Sequence, residues 1–398
     1  MLNLLFISKS FHISARRFAH ANAIRPYVLG IETSCDDTGA AIVSSDGNVL
    51  GDYIYSQQNS HLKFGGIIPT VAMDFHRNCI ENVVNQTFRR ANVSLSEIDA
   101  IAVTNRPGLS LSLLVGVRYA KYLSKRYNKP IIPIHHMEAH ALMARMTNKI
   151  PLPFLCVLLS GGHSLVTFVK NPSEFYLLGE TLDDAPGEAF DKIARRLKLR
   201  NLPQYAYVSG GQAIELAATS SRDPSKYEFP LPLSMQRDCQ FSFAGLKNTG
   251  ARHILKEEKL LDLAPDAVLP DYEDFCASFL NATSKHILQR TRRAIVFCEK
   301  MFLKSNKLRS IVVSGGVARN DVLFNTISGM AKQYDIETFR PQKQHCTDNG
   351  IMIAWNGVEL LLTNEQILHY DDIEVFSRAP FKINLIQNVK EESIPNKA

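Results

Sequence analysis

Two histidines four positions apart, His136 and His140 in HHMEAH, share one face of any helix that contains them. That spacing suits two ligands to one divalent metal, although satisfied histidines without a metal have the same pattern. The motif differs from the protease signature H-E-x-x-H. At about 100° per residue, Glu138 falls nearly opposite the histidines and cannot reach a water bound on their face. A third ligand is available in CTDNG, where Asp348 stands at a predicted helix start and reads either as an N-cap or as a metal carboxylate. Two imidazoles and one carboxylate leave coordination positions open to a substrate.

Three turns rich in glycine or hydroxyls have the composition of anion cradles: ETSCDDTG, SGGHS and SGGVARN. Backbone N–H groups in such turns, and at the start of a following helix, favour a phosphate. Neither G-x-x-x-x-G-K-[ST] nor G-x-G-x-x-G occurs, which removes the P-loop and Rossmann readings. In GEAFDKIARRL, Asp191 is placed to bind a ligand hydroxyl or to form a surface ion pair. The nearby Arg195, Arg196, Lys198 and Arg200 are either a solvated face or a contact for an RNA backbone.

The elements that must hold these groups follow from periodicity. YVLGIET, GAAIVSS and NVLGDYIYSQ read as successive strands, with Asp46-Gly47 as a turn. A helix is expected around Met73 to Arg90, a buried strand in DAIAVTN, an amphipathic helix from Leu111 to Arg126, and a strand in PIIPI leading into the His136 helix. The second half opens the same way. PFLCVLLSGGHSLVTFVK gives two strands and EFYLLGET a third, before a helix from Pro186 to Leu199. Further on come a long helix near Tyr272 to Ser305, the strand SIVVSGG, a helix from Arg319 and a last helix from Asp348 to Leu362. The repeated opening indicates an internal duplication, two mixed sheets covered by helices, with a ligand expected in the cleft between the halves. Asn201 to Gln240 reads as an irregular insert, and the tail after Ile383 as polar and frayed.

The chain has 398 residues, more than one core usually holds. Its formal charge is +6, but four positive residues fall within 1–26, where there is no acidic residue; without them the charge is +2. An RNA partner is compatible with that balance but not required by it. The Arg- and Ser-containing leader 1–26 has the character of a mitochondrial transit peptide. No apolar run is long enough to span a bilayer, so no membrane partner is expected. Seven cysteines without a C-x-x-C pair argue against a disulfide framework or structural zinc module.

Taken in order, ETSCDDT, GGIIPT, HHMEAH, LLSGGHS, GEAFDK, FSFAGLK, SGGVARN and CTDNGIMIAW resemble the tRNA threonylcarbamoyladenosine transferase family. The family comprises bacterial TsaD, archaeal and eukaryotic relatives once labelled O-sialoglycoprotein endopeptidases, and a mitochondrial branch to which the leader points. The resemblance runs from about Tyr27 to Leu362. It implies an α/β fold of two actin-like ATPase domains, ribonuclease-H-like and of the sugar-kinase and heat-shock ATPase superfamily. The expected divisions are a leader over 1–26, domain I over 27–150, domain II over 151–347, a C-terminal helical segment over 348–383 packing back on domain I, and a tail over 384–398.

The resemblance also implies one divalent metal, iron or zinc, on His136, His140 and Asp348. Its substrate positions fall on Leu158, Leu159, Ser160, Gly161, Gly162, Asp191, Gly211, Glu215, Asn320 and Thr347. The chain departs from the family pattern at Ala139, where glycine is usual, at Ser164, where threonine is usual, and at Asn105-Arg106, where Arg-Gly is usual. The implied reaction moves the threonylcarbamoyl group from threonylcarbamoyl-AMP to N6 of adenosine 37 in tRNAs reading ANN codons. Asp36 or Asp37 is the candidate for handling the proton. A homodimer in the mitochondrial matrix is expected, served by a separate adenylate-forming enzyme. The alternatives are a small-molecule kinase or ATPase on the same fold, a metallopeptidase, and a non-catalytic subunit of a tRNA-modifying complex.

Overall fold

A computed structural model describes residues 25–63, 66–304, 306–363 and 370–395. All but the last two residues of the expected leader lie outside them. In chain order the elements begin with β1 (Tyr27–Glu32), β2 (Asp37–Ser44), β3 (Val49–Ser56), α1 (Gln58–Lys63), α2 (Pro69–Ala91), β4 (Ala100–Arg106), α3 (Ser110–Tyr127), β5 (Ile131–His135) and α4 (His136–Leu142). Next come β6 (Phe154–Leu159), β7 (Ser164–Asn171), β8 (Glu174–Glu180), α5 (Pro186–Arg196), α6 (Gly210–Ala218), α7 (Ala244–Leu260) and α8 (Tyr272–Met301). The chain ends with β9 (Ser310–Ser314), α9 (Asp321–Lys332), β10 (Glu337–Phe339), α10 (Gly350–Thr363), β11 (Ile383–Asn384) and α11 (Ile386–Glu392).

These elements form two compact units, one of Met1–Leu142 with Asp348–Ala379, the other of Met143–Thr347 with Pro380–Ala398. The first therefore ends at Leu142 rather than at the expected residue 150, because the short 3₁₀ turn Met143–Met146 packs on β9 of the second.

In the first unit the sheet order is β3-β2-β1-β4-β5, antiparallel through β1, β2 and β3 and parallel through β1, β4 and β5. Leu29 and Ile31 of β1 pack with Ile80 and Val83 of α2 and Val117 of α3. Strand side chains alternate between faces, so Gly30 points the other way. There it meets α10: a Cβ on Gly30 would lie 2.3 Å from Ala354 N and 2.4 Å from Gly350 O. Glycine at this position lets α10 lie directly on the sheet. The helix is apolar nearly all round and buried from Gly350 to Leu361, as a helix wrapped on every side should be.

The second unit repeats the plan. Its sheet order is β10-β9-β6-β7-β8-β11, with β6, β7 and β8 antiparallel and β6, β9 and β10 parallel. The duplication expected from the two openings is thus present in the strand order. The core gathers Leu155, Val157 and Leu159 of β6 with Phe190 of α5 and Phe275 and Phe279 of α8.

Two expectations about this unit need correction. The region Asn201 to Gln240 is not wholly irregular: it contains α6, whose N-cap Ser209 accepts from Gln212 N. Within the expected frayed tail, the described residues 384–395 are not simply frayed. β11 pairs with β8, Val389 and Ile394 are buried, and Arg293 Nε donates to Ile394 O at 3.0 Å. No helix among the described residues is long and apolar enough to cross a membrane.

Candidate metal centre and phosphate turns

α4 begins directly from β5, so the strand end fixes where its first turn points. His136 and His140 lie one turn apart with ring centroids 4.7 Å apart and planes 86° to each other. Asp348 immediately precedes the cap of α10. The capping role considered for Asp348 belongs to its neighbour: Asn349 Oδ1 accepts from Met352 N at 2.9 Å. The Asp348 carboxylate is thereby left to face the imidazoles, with Oδ1 3.0 Å from His140 Nε2 and 3.4 Å from His136 Nε2.

One ligand atom from each of these three residues lies within 4.8 Å of the others. All three residues belong to the first unit. The donor set fits a divalent ion of borderline character such as zinc or iron, with coordination positions left over.

Behind His136 lies a buried carboxylate that sequence reasoning missed. Glu32, the last residue of β1, is 1% exposed, and its Oε2 lies 3.3 Å from His136 Nδ1. Oε1 accepts from Ser34 N at 2.6 Å, the Thr104 hydroxyl donates to Oε2, and Ser34 Oγ lies 3.1 Å from His136 Nδ1. The available signal was an acidic residue closing an otherwise apolar strand.

The electrostatics follow from this crowding. Burial alone would lower the His136 pKa, but the Asp348 and Glu32 carboxylates outweigh it and hold the imidazole well above its ordinary value. Burial opposes ionisation of Asp348, yet His136 and His140 keep it well below the usual carboxylate range. Asp37, at the start of β2, is pushed up to about 7, chiefly by burial. A hydrogen bond from Ser56 opposes that shift, and the nearby carboxylates of Asp36, Asp348 and Glu32 reinforce it. Asp36 and Asp37 are both partly exposed.

In the second unit, the turns SGGHS and SGGVARN come together at the end of β6. Gly315, at φ +91°, brings its turn so close that a Cβ there would lie 2.4 Å from Leu159 O. Open space lies over Gly161 and Gly162, and the N-terminus of α5 abuts the same turn through Gly187 N to Ser160 O at 3.3 Å. Exposed amides beside a helix N-terminus suit an anion.

The other predicted binding positions divide into groups. Asp191 accepts from the backbone of Gly210 and Gly211, and its pKa is raised, mainly by burial. Glu215 and Asn320 meet at the start of α9, where Glu215 Oε1 accepts from Asp321 N at 2.6 Å and Asn320 Oδ1 from Leu323 N at 3.0 Å. Thr347 lies beside Gly316. Leu158 and Leu159 are fully buried in β6, leading into the SGGHS turn.

Comparison with known proteins gives the family. Residues 48–355 match the family model TsaD, described as tRNA N6-adenosine threonylcarbamoyltransferase. A Drosophila melanogaster protein named probable mitochondrial tRNA N6-adenosine threonylcarbamoyltransferase is 51% identical over 362 residues, covering 89% of this chain and 88% of the relative. The human mitochondrial protein of that name is 43% identical, covering 92% of this chain and 89% of its own. Among solved structures, HypF from T. kodakarensis aligns with TM-score 0.51 at 13% identity, over 88% of this chain and 49% of that one, a likeness of fold. The two units are of the actin-like, sugar-kinase type. These relatives are named as transferases, which weighs against the kinase and peptidase alternatives.

Proposed function

The chain belongs to the tRNA N6-adenosine threonylcarbamoyltransferase family, and from that premise we propose that it moves the threonylcarbamoyl group of threonylcarbamoyl-AMP to N6 of adenosine 37 in mitochondrial tRNAs reading ANN codons. The observation that carries this reading is the convergence of His136, His140 and Asp348 in a chain whose relatives, over nearly their full length, are named for this transfer. The relatives' names support a mitochondrial location, and the matrix is where those tRNAs reside. The donor comes from a separate adenylate-forming enzyme, and the working form is a homodimer.

A divalent ion, iron or zinc, bound by these three side chains would supply Lewis acidity and an anchor for the donor. The protein's own residues do the rest. In this reading the backbone of Leu158 and Leu159, with Ser160, Gly161 and Gly162, holds the adenylate phosphate. Asp191, Gly211, Glu215, Asn320 and Thr347 hold its nucleoside.

N6 attacks the carbamoyl carbon, the N6–C bond forms, the C–O bond to the phosphate breaks, and AMP leaves with the electron pair. The attacking amine loses a proton. Asp37 is better suited than Asp36 to accept it, because a carboxylate titrating near 7 is matched to that task. An exocyclic amine is a poor nucleophile, so positioning and charge stabilisation carry most of the acceleration.

The test supplies the chain lacking residues 1–26 with tRNA transcript and synthetic threonylcarbamoyl-AMP, followed by digestion and nucleoside mass measurement. A threonylcarbamoyl mass gain on adenosine is expected. Its absence with intact donor present overturns the reading.

A further inference from the structure

We propose that Glu32 is a positioning residue for the metal centre, holding His136 in the one tautomer able to ligate through Nε2. The inference rests on the metal reading above and adds a residue to it. His136 Nε2 faces Asp348 Oδ1 at 3.4 Å, whereas Nδ1 faces Glu32 Oε2 at 3.3 Å. A neutral imidazole that presents a lone pair at Nε2 carries its proton on Nδ1 and needs an acceptor there. Glu32 provides one, and a carboxylate behind a ligating histidine also raises the basicity of the ligand.

The chemistry of the pocket explains why the acceptor is a carboxylate. Three donors converge on it: Ser34 N–H on Oε1, and the Thr104 hydroxyl and His136 Nδ1–H on Oε2. An ionised carboxylate is acceptor-only and can serve all three, whereas an amide of the same shape would turn an NH₂ toward donors. The backbone fixes this arrangement. Ile31 of β1 pairs with Val103 of β4, so Glu32 and Thr104 leave adjacent parallel strands side by side. Glu32 and Asp348 together also balance the two charges of a divalent ion in a buried site.

Ser34 is the competing partner, since its hydroxyl lies 3.1 Å from the same nitrogen. A hydroxyl can rotate to donate or accept and so does not choose the tautomer. The assignment to Glu32 therefore makes a prediction that separates the two residues.

The experiment titrates the metal-free full chain with Zn²⁺ against a chromophoric chelator, in wild type, Glu32→Gln and Ser34→Ala. Metal-free melting is measured alongside, and Co²⁺ absorption serves as a report on ligand geometry. Glu32→Gln is expected to bind Zn²⁺ about 10–100-fold more weakly with altered Co²⁺ bands, while Ser34→Ala stays within a few-fold of wild type. Wild-type affinity in Glu32→Gln, or the larger loss in Ser34→Ala, overturns the assignment. If Glu32→Gln does not fold, histidine-selective ¹⁵N spectra of Zn²⁺-loaded wild type decide: Nδ1–H supports the assignment and Nε2–H overturns it. A wild-type chain that binds no Zn²⁺ or Co²⁺ overturns the metal reading itself, an outcome distinct from the other two.

Discussion

Asp348 Oδ1 lies 3.0 Å from His140 Nε2, across 208 positions of sequence. The contact exists because Asn349 takes over the capping of α10 and leaves the preceding carboxylate available. Asp348→Ala should therefore keep α10 and the fold while removing a ligand. For Asp348→Ala and His140→Ala alike, Zn²⁺ affinity is expected to fall by more than the about 10–100-fold typical of an outer partner, and transfer activity should be lost. Chelator competition and the nucleoside mass assay check both. Full activity in metal-depleted His140→Ala would reject a catalytic role for the metal.

Metal binding should release a proton at neutral pH. Against the effect of burial, the Asp348 and Glu32 carboxylates raise the His136 pKa well above its ordinary value, which favours a proton that an incoming ion must displace. Affinity is expected to rise with pH until His136 deprotonates without help. Calorimetry in buffers of different ionisation enthalpy should show about one proton released per ion. A buffer-independent heat would contradict this. Stability of the metal-free chain carries the opposite sign. The contribution of a histidine with a raised pKa is complete below its unfolded value and is lost as pH rises through the folded one. Thermal melts of the metal-free chain across that interval measure the fall.

The strands β1 to β9 were legible because they are short apolar runs, whereas the two- and three-residue edge strands β10 and β11 gave no such run; the histidine pair was legible because helical spacing is local. Glu32 was not, since its role depends on Thr104 and His136, which lie 72 and 104 positions away. An all-apolar strand such as FLCVLL signals burial on both faces, and that is how the side chains of Leu158 and Leu159 lie. The tail misled through its polar composition: two buried residues, Val389 and Ile394, and a carbonyl accepting from Arg293 are enough to order it. α7 escaped notice because its apolar positions are sparse among lysines and glutamates, and only its inner face is buried.

Proton transfer should leave its mark on the pH profile of transfer. Burial pushes Asp37 up to about 7, and in the proposed role only its ionised form accepts the N6 proton. With donor and tRNA saturating, the rate is expected to fall as pH drops through about 7 and to level off above it. Asp37→Asn should abolish that limb and lower the rate by about 10²–10⁴-fold. An unchanged limb in Asp37→Asn would pass the role to Asp36 or to the substrate.

The insert before α7 is held in part by Arg290, whose removal should damage the second unit. Arg290 of α8 is fully buried. Its Nη1 donates to Gln236 O at 3.0 Å and Asp238 O at 2.9 Å, and its Nη2 donates to Leu233 O at 2.5 Å and Pro232 O at 3.3 Å. The Asp238 carboxylate, itself buried, lies 3.4 Å away. Truncation removes the cation paired with the buried Asp238 carboxylate, a loss of about 3–5 kcal/mol for a broken buried pair. Arg290→Ala should accordingly lower the denaturant midpoint of the transition that reports on the second unit. The proposed ligands His136, His140 and Asp348 all belong to the first unit, so Zn²⁺ affinity should stay at the wild-type value. A variant that loses zinc and stability together would show that the insert supports the metal centre as well.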